Sequence, residues 1–285
     1  MSTKALSSPP SLAPLYAKAA VTGRLHRGDT LPDSVYEVAD QHVDLGHLAD
    51  YERVCRFPVG DQLPPTYLHV LAFPLSVALM TERAFPFPLV GLVHVANSIT
   101  VARPVRGDET ISLRVHAADL RAHAAGRQLD LVADAIVSGD IVWSSRSTYL
   151  HREGKPDGDA GRPKDRIAGE PPPGAVALVQ VHENIGRRYG AVSGDRNPIH
   201  IHQLTARAFG FPKAIAHGMW LKARTLATLE GRLPAAYTVD VAFKTPVFLP
   251  STVAVTTAPQ NDGWLLDVRN AKSGKPHLAG SVTPA

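Results

Sequence analysis

The sequence predicts an α+β protein built as two tandem units, each a central helix wrapped by an antiparallel sheet. Three observations carry that expectation. A Pro/Gly-rich, charged stretch divides the chain near its middle, a gapless internal repeat lies on either side of it, and each half holds one long apolar segment.

The dividing stretch is "REGKPDGDAGRPKDRIAGEPPPG", residues 152–174. It is poor in apolar residues and follows neither the helical nor the strand period, as a linker does. The expected organisation is therefore residues 1–151 as a first domain, 152–174 as a linker and 175–285 as a second domain. The repeat sets "VARPVRGDETISLRV" (residues 101–115) over "FKTPVFLPSTVAVTT" (residues 243–257). Pro104 meets Pro246, Val105 meets Val247, Thr110 meets Thr252, and Ile111 and Leu113 meet Val253 and Val255. Both copies alternate apolar and polar residues, the pattern of a strand with one buried face.

The remaining elements follow in the same order in each half. "SVYEVA" and "AVALVQV" read as strands, and "VDLGHLADYERVC" and "NIGRRYGAV" as short helices. Residues 68–80 and 218–229 are apolar runs long enough for buried central helices, and several strands come after each. Wrapping a sheet around such a helix buries the apolar surface of both. Two units in one chain can then cover each other's exposed sheet edges.

Bulk composition narrows the function classes. With 285 residues, 44% hydrophobic and 20% charged, the chain has ample material for a packed core, which excludes global disorder. The net charge of +4 comes from scattered basic residues and aromatics are only 6%, so the basic stripe with interleaved aromatics of a nucleic-acid binder is missing. Cys55 is the only cysteine, which excludes an internal disulfide and fits a reducing compartment. "LAPLYAKAAV" near the start is interrupted by Pro14 and Lys18 and is too short for a secretory core, and no apolar run reaches membrane-spanning length. The expectation is a soluble cytoplasmic protein without membrane insertion.

The stretch "SGDRNPIH", residues 193–200, concentrates the chemistry. Pro198 forbids a helix continuing through it and biases Asn197 towards an extended conformation, while Gly194 after "RRYGAVS" reads as a helix end. A chain that stops and restarts in this way can aim Asp195 and His200 at one point. A carboxylate and an imidazole there hold a water and move protons near neutral pH. The competing reading is a polar turn, with Asp195 capping it, Asn197 making an Asx-type bond and His200 partly exposed.

Downstream, "AIAHGMWLKARTLATLE" places His217 and Gly218 at the start of a helical, apolar run. The first N–H groups of a helix lack internal partners and sit at the positive end of its dipole. A glycine there admits a ligand oxygen close to the backbone, so Gly218 can polarise a carbonyl as an oxyanion hole does. The alternatives for Gly218 are a helix cap or a tight helix–sheet contact. A metal reading draws on "HIH", with His200 and His202 on one face of a strand and Asp195 as third ligand; Pro198 and the polar surroundings argue against a strand.

These residues resemble a known family. "YGAVSGDRNPIH" followed by "AFGFPKAIAHGM" is similar to the hydratase-2 motif of the MaoC-like, (R)-specific enoyl-thioester hydratases and dehydratases. The whole chain looks like the two-domain actinobacterial 3-hydroxyacyl-thioester dehydratases of that family. The resemblance implies a double hot-dog fold and reversible hydration of trans-2-enoyl thioesters, carried by CoA or an acyl carrier protein, in fatty-acid metabolism. It implies no cofactor and no metal. Asp195 and His200 match the catalytic pair, Asn197 a residue supporting their loop, and Gly218 the glycine whose N–H polarises the thioester carbonyl. Leu226 stands where a family serine is often found, so that contact is unassigned.

In the first half, "VGDQLPPTYL" can be laid on "SGDRNPIHIH". Asp61 then meets Asp195, Pro64 meets Pro198, Leu63 replaces Asn197, Thr66 replaces His200, and Leu75 and Ser76 fall on His217 and Gly218. Threonine cannot titrate in the histidine's place, so one active site per chain is expected, with "FPLSVALM" lent to an acyl-chain pocket. A hot-dog thioesterase and a non-catalytic acyl-thioester or lipid-binding module are the rival readings. Arg187, Arg188, Lys213 and Lys244 are candidate contacts for an acidic carrier, and a homodimer of such chains is a further expectation.

Overall fold

Both apolar runs form helices on one face of a continuous eleven-stranded sheet in the computed structural model, which describes residues 2–22, 29–89, 91–153 and 171–285. The first half contains β1 (Ser2–Leu6), α1 (Leu12–Thr22), β2 (Ser34–Gln41), α2 (Leu45–Cys55) and α3 (Pro65–Met80), then β3 (Leu92–Val101), β4 (Ile111–His123), β5 (Gly126–Val137) and β6 (Asp140–Arg152). The second contains β7 (Ala175–Val181), α4 (Ile185–Ser193), α5 (Pro198–Ile201), α6 (Gln203–Ala208), α7 (Gly218–Leu226) with a 3-10 turn (Ala227–Leu229), and β8 (Tyr237–Phe243), β9 (Ser251–Gln260), β10 (Gly263–Asn270) and β11 (Pro276–Pro284). The paired strands and helices expected from the pattern are all present. The leading pair β1 and α1 was not expected. Most of the stretch read as a linker lies outside the described residues.

Strand order is β1-β2-β4-β5-β6-β3-β8-β11-β10-β9-β7, antiparallel except for the β1–β2 pair. Reading outward from the middle, each half runs through the same five strands, and the halves join where β3 pairs with β8. That junction has pseudo-two-fold symmetry. The register that lays Val101 on Phe243 also lays Ser98 on Asp240, and those two residues face each other across the strand pair. Repeat partners also share environments. Val105 and Val247 are buried, as are Ile111, Leu113, Val253 and Val255.

The central helices obey the same logic. α3 is apolar on all sides and nearly all its residues are buried, as a helix enclosed by sheet must be. α7 contributes Met219, Trp220, Leu221, Ala223 and Leu226 to the same continuous core. Leu226 is fully buried there. Tyr51 of α2 and Tyr189 of α4, each five residues before a helix end in the left-handed conformation (Arg56 and Gly194), pack ring to ring at 6.2 Å across the pseudo-dyad.

One polar side chain ties helix to junction. Lys222 of α7 is fully buried, and its ammonium group donates to the Asn97 side-chain oxygen at 2.6 Å, the Asn97 carbonyl at 3.1 Å and the Val239 carbonyl at 3.0 Å. All three donors of an ammonium group are thereby used. Asn97 in turn donates to Ser145 and Ser147 on β6. Burial holds the Lys222 pKa well below its ordinary value.

The symmetry corrects the expected alignment of the halves. The Leu63 N–H donates to the Val105 carbonyl, and the Ala216 N–H donates to the carbonyl of its repeat partner Val247. Isolated bridges Gln62–Arg106 and Ile215–Phe248 agree. Two residues on, α3 begins at Pro65 and α7 at Gly218. Pro64 and Pro65 therefore stand where His217 and Gly218 do, not Leu75 and Ser76, which lie in mid-helix. Between the left-handed helix end and the central helix, the first half has only residues 57–64 against 195–217 in the second. Thr66 is no counterpart of His200, because the whole acid-bearing segment is missing. Asp61 sits at the surface, paired with Arg106.

Replacing Lys222 by Met keeps the volume and removes all three of these hydrogen bonds. Loss of hydrogen bonds to a buried cation is expected to reduce stability by about 2–4 kcal/mol. A urea-unfolding midpoint unchanged in Lys222→Met would show that the junction does not depend on this contact.

Candidate active site

The site loop is fixed by a run of local caps that the sequence spells out. The Ser193 hydroxyl accepts from the Asp195 N–H at 3.2 Å, Asp195 Oδ1 accepts from the Asn197 N–H at 3.1 Å, and Asn197 Oδ1 accepts from the Ile199 N–H at 3.4 Å. Each short polar side chain thus holds the backbone two residues ahead. Asn197, extended at φ −54° and ψ 127°, caps α5, and Pro198 occupies its first turn, where a missing N–H costs nothing. The polar turn expected of "SGDRNPIH" is present, and it carries both Asp195 and His200.

The loop can lie this close to α4 because α4 is grooved. A Cβ on Gly186 would overlap the His200 carbonyl oxygen, and one on Gly190 would stand 2.8 Å from the Asp195 carbonyl oxygen. These glycines are four apart and share one helix face. α5 is also stitched to the segment before α7: the Ile215 N–H donates to the Ile199 carbonyl at 3.1 Å, and His200 Nδ1 lies 2.8 Å from the Ile215 carbonyl oxygen.

Asp195, His200 and His217 converge, with one ligand-type atom of each lying within 4.8 Å of the others. His217 stacks on His200 at 3.7 Å between ring centroids, and its Nε2 lies 2.9 Å from the Asp195 backbone carbonyl and 3.8 Å from Asp195 Oδ2. Hydrogen bonding to carbonyls assigns protons to His200 Nδ1 and His217 Nε2 in the neutral rings. The His200 Nε2 lone pair is then free to accept a proton. Burial lowers the His217 pKa to about 3, with His200 adding to the effect and Asp195 opposing it. Burial also lowers that of His200, against the Asp195 carboxylate and the Ile215 carbonyl.

The spacing of the three groups invites a metal, but the rings are stacked with an interplanar angle of 27°. Lone pairs lying in two stacked planes do not converge on one cation, and two of the four ring nitrogens are engaged by carbonyls. The donor set suits a water better than a metal. The alternative set with His202 is ruled out by geometry: His202 caps α6, its Nδ1 accepting from the Leu204 N–H at 3.1 Å, and it is exposed.

Gly218 follows His217 as the first residue of α7, so its N–H has no acceptor within the helix. A Cβ there would meet the Phe243 ring at 3.0 Å. The tight helix–sheet contact and the free donor are the same feature. Around Asp195 stand groups from the first half. The Asp195 carboxylate acts on His69 of α3 and on Tyr149 of β6. His94 of β3 stacks on Tyr149 at 4.6 Å and meets Phe243 edge-on at 5.1 Å. His217, His69 and Tyr149 were not singled out by sequence reasoning as site residues. His217 had one usable signal, its place beside Gly218; the other two had none.

At the pseudo-equivalent position of the first half, a cavity of about 280 Å³ is lined by residues including Pro64, Pro65, Leu68 and Trp143. Pro65 has no N–H to offer, so this counterpart lacks both the donor and the acid-bearing loop.

A double helix-in-sheet fold with an acid–imidazole pair before a helix N-terminus is the architecture of a double hot-dog hydratase or dehydratase. Residues 168–277 match the MaoC-like domain. The chain is 38% identical over 269 residues to 3-hydroxyacyl-thioester dehydratase X of Mycobacterium tuberculosis, covering 94% of this chain and 95% of that one. A crystal structure of that organism's HtdX superposes with a TM-score of 0.78 at 36% identity, covering 88% of this chain and all of the other. A conserved hypothetical protein of M. tuberculosis described as having a double hotdog fold superposes at 0.51 with 13% identity, covering 90% of this chain and 95% of that one, and supports the fold alone. The chain belongs to the MaoC-like dehydratase family.

The buried histidines make stability depend on acid. Their folded-state pKa values lie below the ordinary value, about 4 for His69 and about 3 for His217. The unfolded chain therefore binds more protons than the folded one below about pH 6.5, and stability falls as pH falls. His217 alone accounts for roughly 2 kcal/mol between pH 7 and 5. Urea midpoints measured across that range should drop steadily, and a flat profile would mean that these rings are not held neutral.

Proposed function

We propose that this chain is a hydro-lyase that adds water reversibly across the double bond of a trans-2-enoyl thioester, and in reverse dehydrates an (R)-3-hydroxyacyl thioester, in fatty-acid metabolism. The observation that carries this reading is the convergence of Asp195 and His200 on one point beside the Gly218 N–H. Its family membership and its likeness to a 3-hydroxyacyl-thioester dehydratase over nearly its full length support it.

The geometry supports the following roles. The Gly218 N–H donates to the thioester oxygen, which takes the charge when water oxygen bonds C3. His200 Nε2 and the Asp195 carboxylate hold that water between them, accept its proton and return one to C2. They titrate as a coupled pair and share the base role. His217 and Asn197 position them, His217 through the Asp195 carbonyl and the stacked ring, Asn197 through the cap on α5. The thioester itself acidifies C2, so the step needs neither metal nor redox cofactor.

We assign one active site per chain, with the two tandem units divided at residues 152–174 and the reaction in the cytoplasm. Among the described residues no helix is long and apolar enough to cross a membrane. Arg187, Arg188, Lys213 and Lys244 are exposed beside the site segments and suit a phosphate-bearing carrier, whether CoA or an acyl carrier protein. A second copy of the chain is a compatible partner, with Val176 and Leu178 of the edge strand β7 leaving apolar side chains in solvent. Phe73 of α3 lies about 4.0 Å from the Cβ position of Gly194 and forms a wall for the acyl chain.

Asp195→Asn and His200→Gln are expected to lower turnover by about a thousandfold while folding is kept, as loss of a general acid–base group does. The assay follows loss of enoyl absorbance across CoA and carrier-protein substrates. Turnover within tenfold of wild type in Asp195→Asn would overturn the assignment, and release of free thiol would point to a thioesterase. Phe73→Ala should shift preference towards longer chains; equal loss on short and long substrates would deny that wall its role.

A further inference from the structure

α1 lies outside the segment that matches the family domain, yet it covers the site loop. Gly194, which ends α4 in the left-handed conformation at φ 73°, is where it lands: a Cβ at that position would collide with the Leu12 side chain. One turn along, Tyr16 brings its hydroxyl to 3.4 Å from the Gly194 carbonyl oxygen. The same hydroxyl is close enough to the Asp195 carboxylate to feel its charge. The packing is not incidental to α1, which also rests on α3, the helix that carries His69 and Phe73.

We infer that Tyr16 is a positioning residue of the active site, its phenol donating to the Gly194 carbonyl and fixing the loop that Asp195 begins. This inference rests on the hydratase reading of the same site.

The physical case has three parts. First, Asp195 Oδ1 is engaged by the Asn197 N–H, and Oδ2 lies 3.8 Å from His217 Nε2, beyond hydrogen-bond reach. With so few side-chain restraints, the place of the carboxylate is set by the backbone it hangs from, which Tyr16 holds at Gly194. Second, the Tyr16 phenol stays protonated. Burial and the neighbouring Asp195 charge both hold its pKa above the ordinary tyrosine value, so it is a donor throughout the working range. Third, the contact joins residues 178 positions apart, as the Tyr16–Gly194 separation records. The loop itself is built only of local caps, so α1 supplies a long-range restraint that they cannot.

The test compares Tyr16→Phe, Asp195→Asn and the double variant with the wild-type enzyme on an enoyl-CoA substrate, with thermal unfolding measured alongside. Phenylalanine keeps the ring and removes only the hydroxyl. Loss of one hydrogen bond to a carbonyl predicts kcat lower by about threefold to tenfold. KM should stay within twofold and the unfolding temperature should be unchanged. Because Tyr16 acts through Asp195, the double variant should be no slower than Asp195→Asn alone. Tyr16→Phe with kcat within twofold of wild type, or with the loss confined to KM, overturns the inference, as does a double variant clearly slower than Asp195→Asn. If Asp195→Asn itself remains active, the hydratase reading fails instead, which keeps the two failures apart. A lowered unfolding temperature in Tyr16→Phe would make the contact structural and also overturn the inference.

Discussion

The β3–β8 pair is the constraint on which the rest of the molecule depends. It joins a six-stranded and a five-stranded unit into one sheet, and the central helices of both halves pack against the face it creates. Lys222 fixes α7 to that junction through three hydrogen bonds to Asn97 and Val239. A buried ammonium group tolerates few arrangements of its acceptors, so it specifies helix position more sharply than apolar packing could. Gly218 lies one turn before Lys222 on the same helix. The seating of the lysine is therefore also the seating of the free N–H.

The site is assembled from opposite kinds of structure. The acid and the imidazole ride on a loop made of consecutive two-residue caps, while the N–H comes from the start of a rigid helix. The loop gains its rigidity from its surroundings. It rests in the groove that Gly186 and Gly190 leave in α4, is pinned at Ile215, and is stacked between His217 and the first half. That placement desolvates the two histidines and keeps them neutral, the state the proposed proton acceptor needs.

Much of this was legible in the sequence, and the rest was not for definite reasons. Periodicity gave the paired strands and both central helices, because burial of one face writes itself into residue order. Asp195, Asn197, His200 and Gly218 were legible because local turn and helix-start chemistry needs those residue types at those spacings. His69 and Tyr149 were invisible, since their approach to Asp195 is a property of how the halves meet. α1 was invisible for the same reason: its amphipathicity is weak, and its partner Gly194 lies 178 residues away. The alignment of the two halves failed instructively. Shared Gly-Asp and Pro letters drew Asp61 onto Asp195, whereas the hydrogen bonds of Leu63 and Ala216 match Pro65 with Gly218.

Pro65 has a consequence for how the two halves can change. A substitution such as Thr66→His cannot revive the first half, because the backbone donor has been replaced by a ring and the segment that would carry the acid is absent altogether. The difference between the halves there is architectural, and a point mutation does not reverse it. On the proposed reading the counterpart position is released from catalytic demands, while the rest of the first half stays bound to the site opposite through Tyr16, His69 and Asn97.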